Sequence, residues 1–218
     1  MKNIILIAPQ AAGKGTQSAL ISEKYKIPHI STGDLLRAAR NKRTKTGRII
    51  IKCQDEGNLV PQEIVDLVLE KRLVEDDCKD GFILDGYPRN LLQAKHLDIF
   101  LKKIKHEANY VIFLNVSKEE VLKRITGRQM CVECGANYNI NYTEQSPKKK
   151  GICDKCGGKL IQRSDDTEES IFNRLNIFYN DTLPLIEIYK ERNILYEVNG
   201  VGSVQDVFKD IEDVLGDK

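Results

Sequence analysis

The stretch Ile7-Ala8-Pro9-Gln10-Ala11-Ala12-Gly13-Lys14-Gly15-Thr16-Gln17 joins a short isoleucine-rich run to a segment with helical spacing. A strand that turns into a helix opening on Gly13-Lys14 aims backbone N–H groups and the positive end of the helix dipole at one point, where an anion is stabilised. Lys14 adds a point charge suited to the β- and γ-phosphates of a nucleotide. The usual pattern, G-x-x-x-x-G-K-[ST], is met in part. Ala8 replaces the first glycine, Ala11 holds another place where glycine is usual, and Gly15 stands where a hydroxyl would touch Mg²⁺. An alanine forced to positive φ here costs on the order of 1–2 kcal/mol, which converging amides on a phosphate can offset. An ordinary strand-to-helix turn with a surface lysine is the bland alternative, and the surroundings have to decide.

Outward from this turn, short apolar runs alternate with longer amphipathic ones. Strands are predicted at Asn3–Ile7, Pro28–Ile30, Phe82–Asp85, Tyr110–Val116 and Ile194–Val198. Helices are predicted at Lys14–Tyr25, Thr32–Asn41, Lys45–Gly57, Pro61–Val74, Asn90–Lys105, Lys118–Gly127, Asp165–Arg192 and Ser203–Leu215, with Pro61 at a first helical position and Ser203 as a cap. The alternation predicts an α/β fold with a parallel five-stranded sheet flanked by helices. Ligands of such folds bind beyond the carboxyl ends of the strands.

Two regions break the alternation. Residues 31–73 place three helical segments between the second and third strands, and residues 128–164 hold four cysteines and the run Lys148-Lys149-Lys150 with little helical periodicity. Both read as insertions on one core formed by residues 1–30, 74–127 and 165–218.

Composition narrows the classes. A chain of 218 residues, 41% hydrophobic and 30% charged, can bury a real core. With 34 basic and 32 acidic residues its net charge is +2, so no global field draws it to nucleic acid or membrane. The N-terminal apolar run is too short for a signal peptide and no run approaches a membrane span. A cytoplasmic location is expected, where clustered cysteines mean metal more often than disulfide.

The cysteines are spaced Cys131-x₂-Cys134-x₁₈-Cys153-x₂-Cys156, two knuckles at a separation that signals zinc. Four thiolates make a closed tetrahedral site with no place for a substrate water, so the ion would be structural. A disulfide pair and a nucleic-acid-binding zinc ribbon are the alternatives. Cys53 and Cys78 lack partners at ligand spacing and read as small buried hydrophobes. His29, His96 and His106 are too scattered to suggest a metal site.

Two further motifs each follow a predicted strand: Ile30-Ser31-Thr32-Gly33-Asp34-Leu35-Leu36-Arg37 and Gly81-Phe82-Ile83-Leu84-Asp85-Gly86-Tyr87-Pro88-Arg89-Asn90-Leu91-Leu92-Gln93. With Gly13-Lys14-Gly15-Thr16-Gln17 they closely resemble the adenylate kinases, within the P-loop nucleoside monophosphate kinases. The resemblance continues through Leu122–Arg128, the cysteine insertion, Gln162–Asp166 and Arg174. In that family Gly-Lys-Gly-Thr is the usual form, so Gly15 is expected there.

The resemblance implies a phosphotransferase for MgATP + AMP = 2 ADP, with residues 31–73 as an AMP-binding insertion and 128–164 as a zinc-bearing lid over ATP. It assigns Lys14, Arg89, Arg124, Arg128, Arg163 and Arg174 to catalysis. ATP would meet Ala11, Ala12, Gly13, Lys14, Gly15, Thr16, Arg124, Arg128, Asn137, Tyr138 and Gly202. AMP would meet Thr32, Arg37, Asn58, Leu59, Val60, Gly86, Tyr87, Pro88, Arg89, Gln93, Arg163 and Arg174. Asp34 and Asp85 would organise Mg²⁺ through water, since this ion dehydrates reluctantly. Cys131, Cys134, Cys153 and Cys156 would hold Zn²⁺. Nucleotides are the expected partners, nucleic acid and membrane are not, and the chain is expected to be a monomer.

Guanidinium groups match phosphate oxygens bidentately, which explains so many arginines. A carboxamide can pair two adjacent groups of an adenine edge, so Gln93 favours AMP over UMP or CMP as acceptor. A kinase for those pyrimidine acceptors is the nearest alternative.

Overall fold

The computed structural model describes residues 1–162 and 167–216. In chain order its elements are β1 (Lys2–Ile7), α1 (Lys14–Tyr25), β2 (His29–Ser31), α2 (Thr32–Ala38), α3 (Lys45–Glu56), α4 (Gln62–Leu73), β3 (Gly81–Asp85), α5 (Leu91–Lys103), β4 (Tyr110–Asn115) and α6 (Lys118–Gly127). There follow β5 (Arg128–Cys131), β6 (Asn137–Asn139), β7 (Leu160–Ile161), α7 (Glu168–Ile177), α8 (Leu185–Glu191), β8 (Leu195–Asn199) and α9 (Val204–Leu215).

The five predicted strands form one sheet in the order β2-β3-β1-β4-β8, and every neighbouring pair is parallel. The register sets Leu6 beside Asp85 and Ser31 beside Asp85, so the loops that follow β1, β2 and β3 leave from one edge.

Side chains of a strand alternate between faces, and here both faces are covered. Ile5, Ile7, Leu84 and Phe113 pack on one side with α4, α5 and α8 residues such as Leu69, Leu97 and Tyr189. Ile4, Leu6, Ile83 and Ile112 pack on the other with Ile21, Val121 and Ile211 from α1, α6 and α9. This is why the strands read as continuous apolar runs.

Helix starts follow local chemistry. Ser31, Thr44, Asn90, Ser117, Thr167 and Ser203 each accept a hydrogen bond from a backbone N–H of their own first turn. Pro61 stands at the cap of α4 rather than inside it. The helix predicted to begin at Thr32 stops at Ala38, where the chain turns toward the Thr44 cap.

The long helix predicted over Asp165–Arg192 is divided. α7 runs into a five-residue π-helix at Phe178–Thr182, and Pro184 precedes α8. A proline lacks the N–H needed to continue the ladder, and π turns are recurrent interruptions. Asp165 and Asp166 lie outside the described residues.

Residues 128–164 also differ from the strandless reading. β5 pairs antiparallel with β6 and β7 in a small separate sheet. Among the described residues its buried cluster holds Cys131, Cys153 and Leu160, with Ala136 and Tyr138 against it.

Candidate functional site

A cleft of about 800 Å³ opens at the carboxyl edge of the main sheet, between the loop after β1, the α2–α4 segment, the turn after β3 and the three-stranded sheet. The loop after β1 supplies its floor. Ala11 takes φ 59 and Gly13 φ 98, while Ala8 is not at positive φ. Of the two alanines, only Ala11 bears the conformational cost.

Lys14 is enclosed at the foot of the loop and its Nζ donates to the carbonyl oxygens of Ala8 and Pro9, both at 2.9 Å. Burial brings its ammonium down to about 8, with Arg89 and Arg128 acting the same way and Asp85 opposing them. Asp85 is its counterpart. Burial pushes that carboxyl up, but His29, Lys14 and Arg89 outweigh it and hold it below its usual range. His29 Nε2 lies 3.4 Å from Asp85 Oδ2, an ion-pair distance with no well-aligned hydrogen bond.

The turn after β3 is built for a close approach. Gly86 has φ 82, and a Cβ there would lie 2.9 Å from Thr32 Oγ1 and 3.1 Å from Arg89 Nη2. Thr32 Oγ1 donates to the Asp85 carbonyl at 3.1 Å, and Arg89 Nε donates to the Gly86 carbonyl at 2.8 Å. Tyr87-Pro88 is a cis peptide bond, and Tyr87 OH donates to Asp66 at 2.9 Å. Gln93 is buried, and its Oε1 accepts the Arg89 N–H at 2.8 Å. A carbonyl oxygen has two lone pairs, so one acceptor site and the amide N–H groups are left for a base.

Lys14, Arg37, Arg89, Arg124, Arg128 and Arg174 all line this one cleft. Burial and the neighbouring Arg174 lower the Arg89 guanidinium below its usual value. Arg37 instead pairs with Asp34, its Nη2 and Nε both directed at Oδ1. Asp34 is exposed and held by this pair, whereas Asp85 is enclosed beside Lys14. Ser31 caps α2, its Oγ accepting the Asp34 N–H at 3.2 Å.

Of the remaining predicted positions, Ala11, Gly13, Gly15, Thr16, Thr32, Asn58, Leu59, Val60, Gly86, Tyr87, Pro88, Gln93, Asn137 and Tyr138 line the cleft. Ala12 does not. It is buried, and only its carbonyl oxygen takes part, accepting from Arg124 Nη1 at 3.1 Å. Gly202 is exposed in the turn before α9 and is not part of the cleft wall, while Val204 takes that place. Gly200 O accepts from Arg124 Nη2 at 2.9 Å. Arg163 lies outside the described residues.

The sequence reading missed Glu120, His29 and Gln54. Glu120 accepts from Arg124 Nε at 2.8 Å and from Tyr142 OH at 2.7 Å. Burial raises its carboxyl, but these two donors outweigh it and hold it low. Its spacing four residues before Arg124 was the available signal.

The four cysteine sulfurs lie within 4.8 Å of one another. Cys131 and Cys156 Sγ are 3.4 Å apart, and Cys134 and Cys153 Sγ are 3.6 Å apart. A tetrahedron with ~2.3 Å Zn–S bonds has edges of about 3.8 Å, so this donor set fits zinc and is far from disulfide contact. Gly135 and Gly157, at φ 71 and φ 76, turn each knuckle by donating to the Cys131 and Cys153 carbonyls. Tyr138 OH accepts the Asp154 N–H at 2.7 Å, tying the cleft wall to the second knuckle. Cys78 is buried apart from this group, and burial pushes its thiol to about 11.

No helix among the described residues is long and apolar enough to cross a membrane.

The family model described as adenylate kinase matches residues 6–194. The chain is 47% identical to an adenylate kinase of Clostridium tetani over 214 residues, covering 98% of both chains. It is 46% identical to one of Clostridium botulinum over 213 residues, again covering 98% of each. It is 45% identical to one of Thermoanaerobacter sp. over 215 residues, covering 99% of this chain and 98% of the relative.

Proposed function

This chain belongs to the adenylate kinase family, and from that premise we propose how its cleft divides between two nucleotides. It is a phosphotransferase that interconverts ATP and AMP with two ADP. The donor lies over residues 11–16, with Lys14 on its phosphates, Arg124 and Arg128 from the base of the lid, and Asn137 and Tyr138 on the lid wall. The acceptor lies among Thr32, Arg37, Asn58, Leu59, Val60, Gly86, Tyr87, Pro88, Arg89 and Gln93. Arg174 spans the two phosphate groups, and Arg163 is assigned to the same task.

The observation that carries this division is the convergence, among the described residues, of Lys14, Arg37, Arg89, Arg124, Arg128, Lys155 and Arg174 on one cleft in a chain of net charge +2. Phosphoryl transfer spreads negative charge over several oxygens and asks for positioning and charge neutralisation. No general base is needed. The second pKa of a phosphate monoester is ~6, so AMP at neutral pH attacks as a dianion, in line with the bond broken to the β-phosphate. The ionised Asp85, beside Lys14, suits the hydration shell of the Mg²⁺ carried by ATP, whereas Asp34 reaches that ion only on leaving Arg37.

Residues 31–73 act as the acceptor-side insertion, residues 128–164 as the lid, and residues 1–30, 74–127 and 165–218 as the core. A structural zinc on Cys131, Cys134, Cys153 and Cys156 keeps the lid rigid as it closes and excludes water. The enzyme works as a cytoplasmic monomer without nucleic acid or membrane partners, a reading supported by its near-neutral charge balance.

The test is a nucleotide-resolved assay with MgATP and AMP, UMP, CMP or GMP. Two ADP formed per AMP, and loss in Lys14→Ala, is the expected result. Preferential transfer to UMP or CMP would overturn the acceptor assignment. Gln93→Asn should then shift the acceptor profile away from AMP.

A further inference from the structure

The loop that ends α3 is docked on α7 by a side chain to which no role has been given. Gly57, at φ 74, turns the chain after Glu56, and the Asn58 N–H donates back to the Cys53 carbonyl at 2.8 Å. The next residues, Asn58, Leu59 and Val60, line the acceptor side of the cleft. On the reverse side of this loop, Asn173 Nδ2 donates to the Glu56 carbonyl at 3.0 Å and to Asn58 Oδ1 at 2.6 Å. Asn58 Nδ2 donates in turn to Glu56 Oε2 at 3.0 Å.

The seat is tight. A Cβ on Gly57 would lie 2.5 Å from the carbonyl oxygen of Ser170, three residues before Asn173 on the same helix face. Arg174 Nη2, from the neighbouring position, donates to the Gln54 carbonyl at 2.9 Å.

We infer that Asn173 is a positioning residue for the acceptor nucleotide, holding the Glu56–Val60 loop against α7 in the shape that receives AMP. The inference rests on the division of the cleft proposed above. An amide –NH₂ has two hydrogens, and here each has an oxygen acceptor. A side chain of the same size without donors would place its own oxygen against the Glu56 carbonyl and the Asn58 Oδ1. A loop released from this contact must be ordered when AMP arrives, and that ordering is subtracted from affinity.

Among the described residues the Asn173 side chain bonds to Glu56 and Asn58 and to none of the proposed ATP positions, so the expected effect is one-sided. Titration calorimetry of AMP and of ATP against wild type, Asn173→Ala and Asn173→Asp tests it, with melting curves confirming that each variant is folded. Loss of two hydrogen bonds should weaken AMP about tenfold, with ATP affinity and turnover at saturating AMP little changed. The isosteric Asn173→Asp should be at least as weak for AMP as Asn173→Ala, which a space-filling role would not produce. Wild-type AMP affinity in either folded variant overturns the inference, and so does an equal loss for ATP. A wild-type protein that binds UMP or CMP and not AMP overturns the acceptor assignment itself, a result separable from both.

Discussion

Arg124 Nη1 donates to the Ala12 carbonyl oxygen at 3.1 Å, so α6 and the loop after β1 are joined by one side chain. The same guanidinium reaches Gly200 and Glu120, and Glu120 also holds Tyr142, just beyond β6. A rigid planar fork holds its donors toward three separate partners, whereas an ammonium gathers its three donors on a single atom. Arg124→Lys is expected to lower kcat/KM for ATP roughly tenfold or more. Steady-state rates with ATP varied at fixed AMP check this, and a wild-type value would contradict a positioning role for the fork.

Lys14 should take up a proton when nucleotide binds. Its free-state value is brought from 10.5 to about 8 by burial first, so above that pH the amine is largely neutral. Phosphates placed beside it favour the charged form and raise the value again. Calorimetry of ATP binding between pH 8 and 10, in buffers of different ionisation enthalpy, should report net uptake in the wild type and little in Lys14→Met. Release of protons in that window would contradict the assignment.

The same depression carries a stability sign. Between about 8 and 10.5 the unfolded chain binds the Lys14 proton and the folded chain does not, so this residue makes stability rise with pH through that interval. Below it both states are protonated and the full penalty of burying the charge remains. Urea unfolding of wild type and Lys14→Met should therefore differ most below pH 8 and converge toward pH 10.

Gly81 opens β3 at φ 132, and a Cβ there would lie 2.4 Å from the Lys2 carbonyl oxygen of β1. Backbone cannot yield as a flexible side chain can. Gly81→Ala is expected to cost about 3 kcal/mol of stability, read as a lower urea midpoint at unchanged slope. A shift below ~0.5 kcal/mol, the usual range for surface changes, would show that the central strands tolerate displacement.

Removing metal should act on the lid before the core. Among the described residues the cluster of the three-stranded sheet has three buried members, Cys131, Cys153 and Leu160, too few to hold it without the four thiolates. Chelation should release about one zinc per chain, expose the lid to protease within residues 128–164 and leave the main unfolding transition in place. A chelated lid that resists protease as the untreated one does would remove the structural role of the metal.

Much of the fold was legible because β1, β3 and β4 are buried on both faces and therefore spell continuous apolar runs. The arginine set was legible through its motifs rather than its spacing, and of the two alanines at glycine places Ala11 takes a positive φ and Ala8 does not. Three features were hidden. β5 to β7 are two to four residues long and stapled by cysteines, so no periodicity announces them. Asn173 bonds a loop 115 residues away, partly through a backbone carbonyl that no residue type advertises. The π-helix keeps the apolar spacing of an ordinary helix on either side of it.

That π-helix has a consequence for how one rod serves two surroundings. The Leu183 N–H bonds back five residues to the Phe178 carbonyl, adding one residue to the turn and rotating everything after it by about 100°. Before the wide turn Arg174 and Ile177 face the nucleotide cleft; after it Leu185 and Tyr189 sit fully inside the hydrophobic interior. Deleting one residue here would act as a twist rather than a shortening. The downstream half would swing its apolar stripe a quarter turn off the sheet while Arg174 stayed aimed into the cleft.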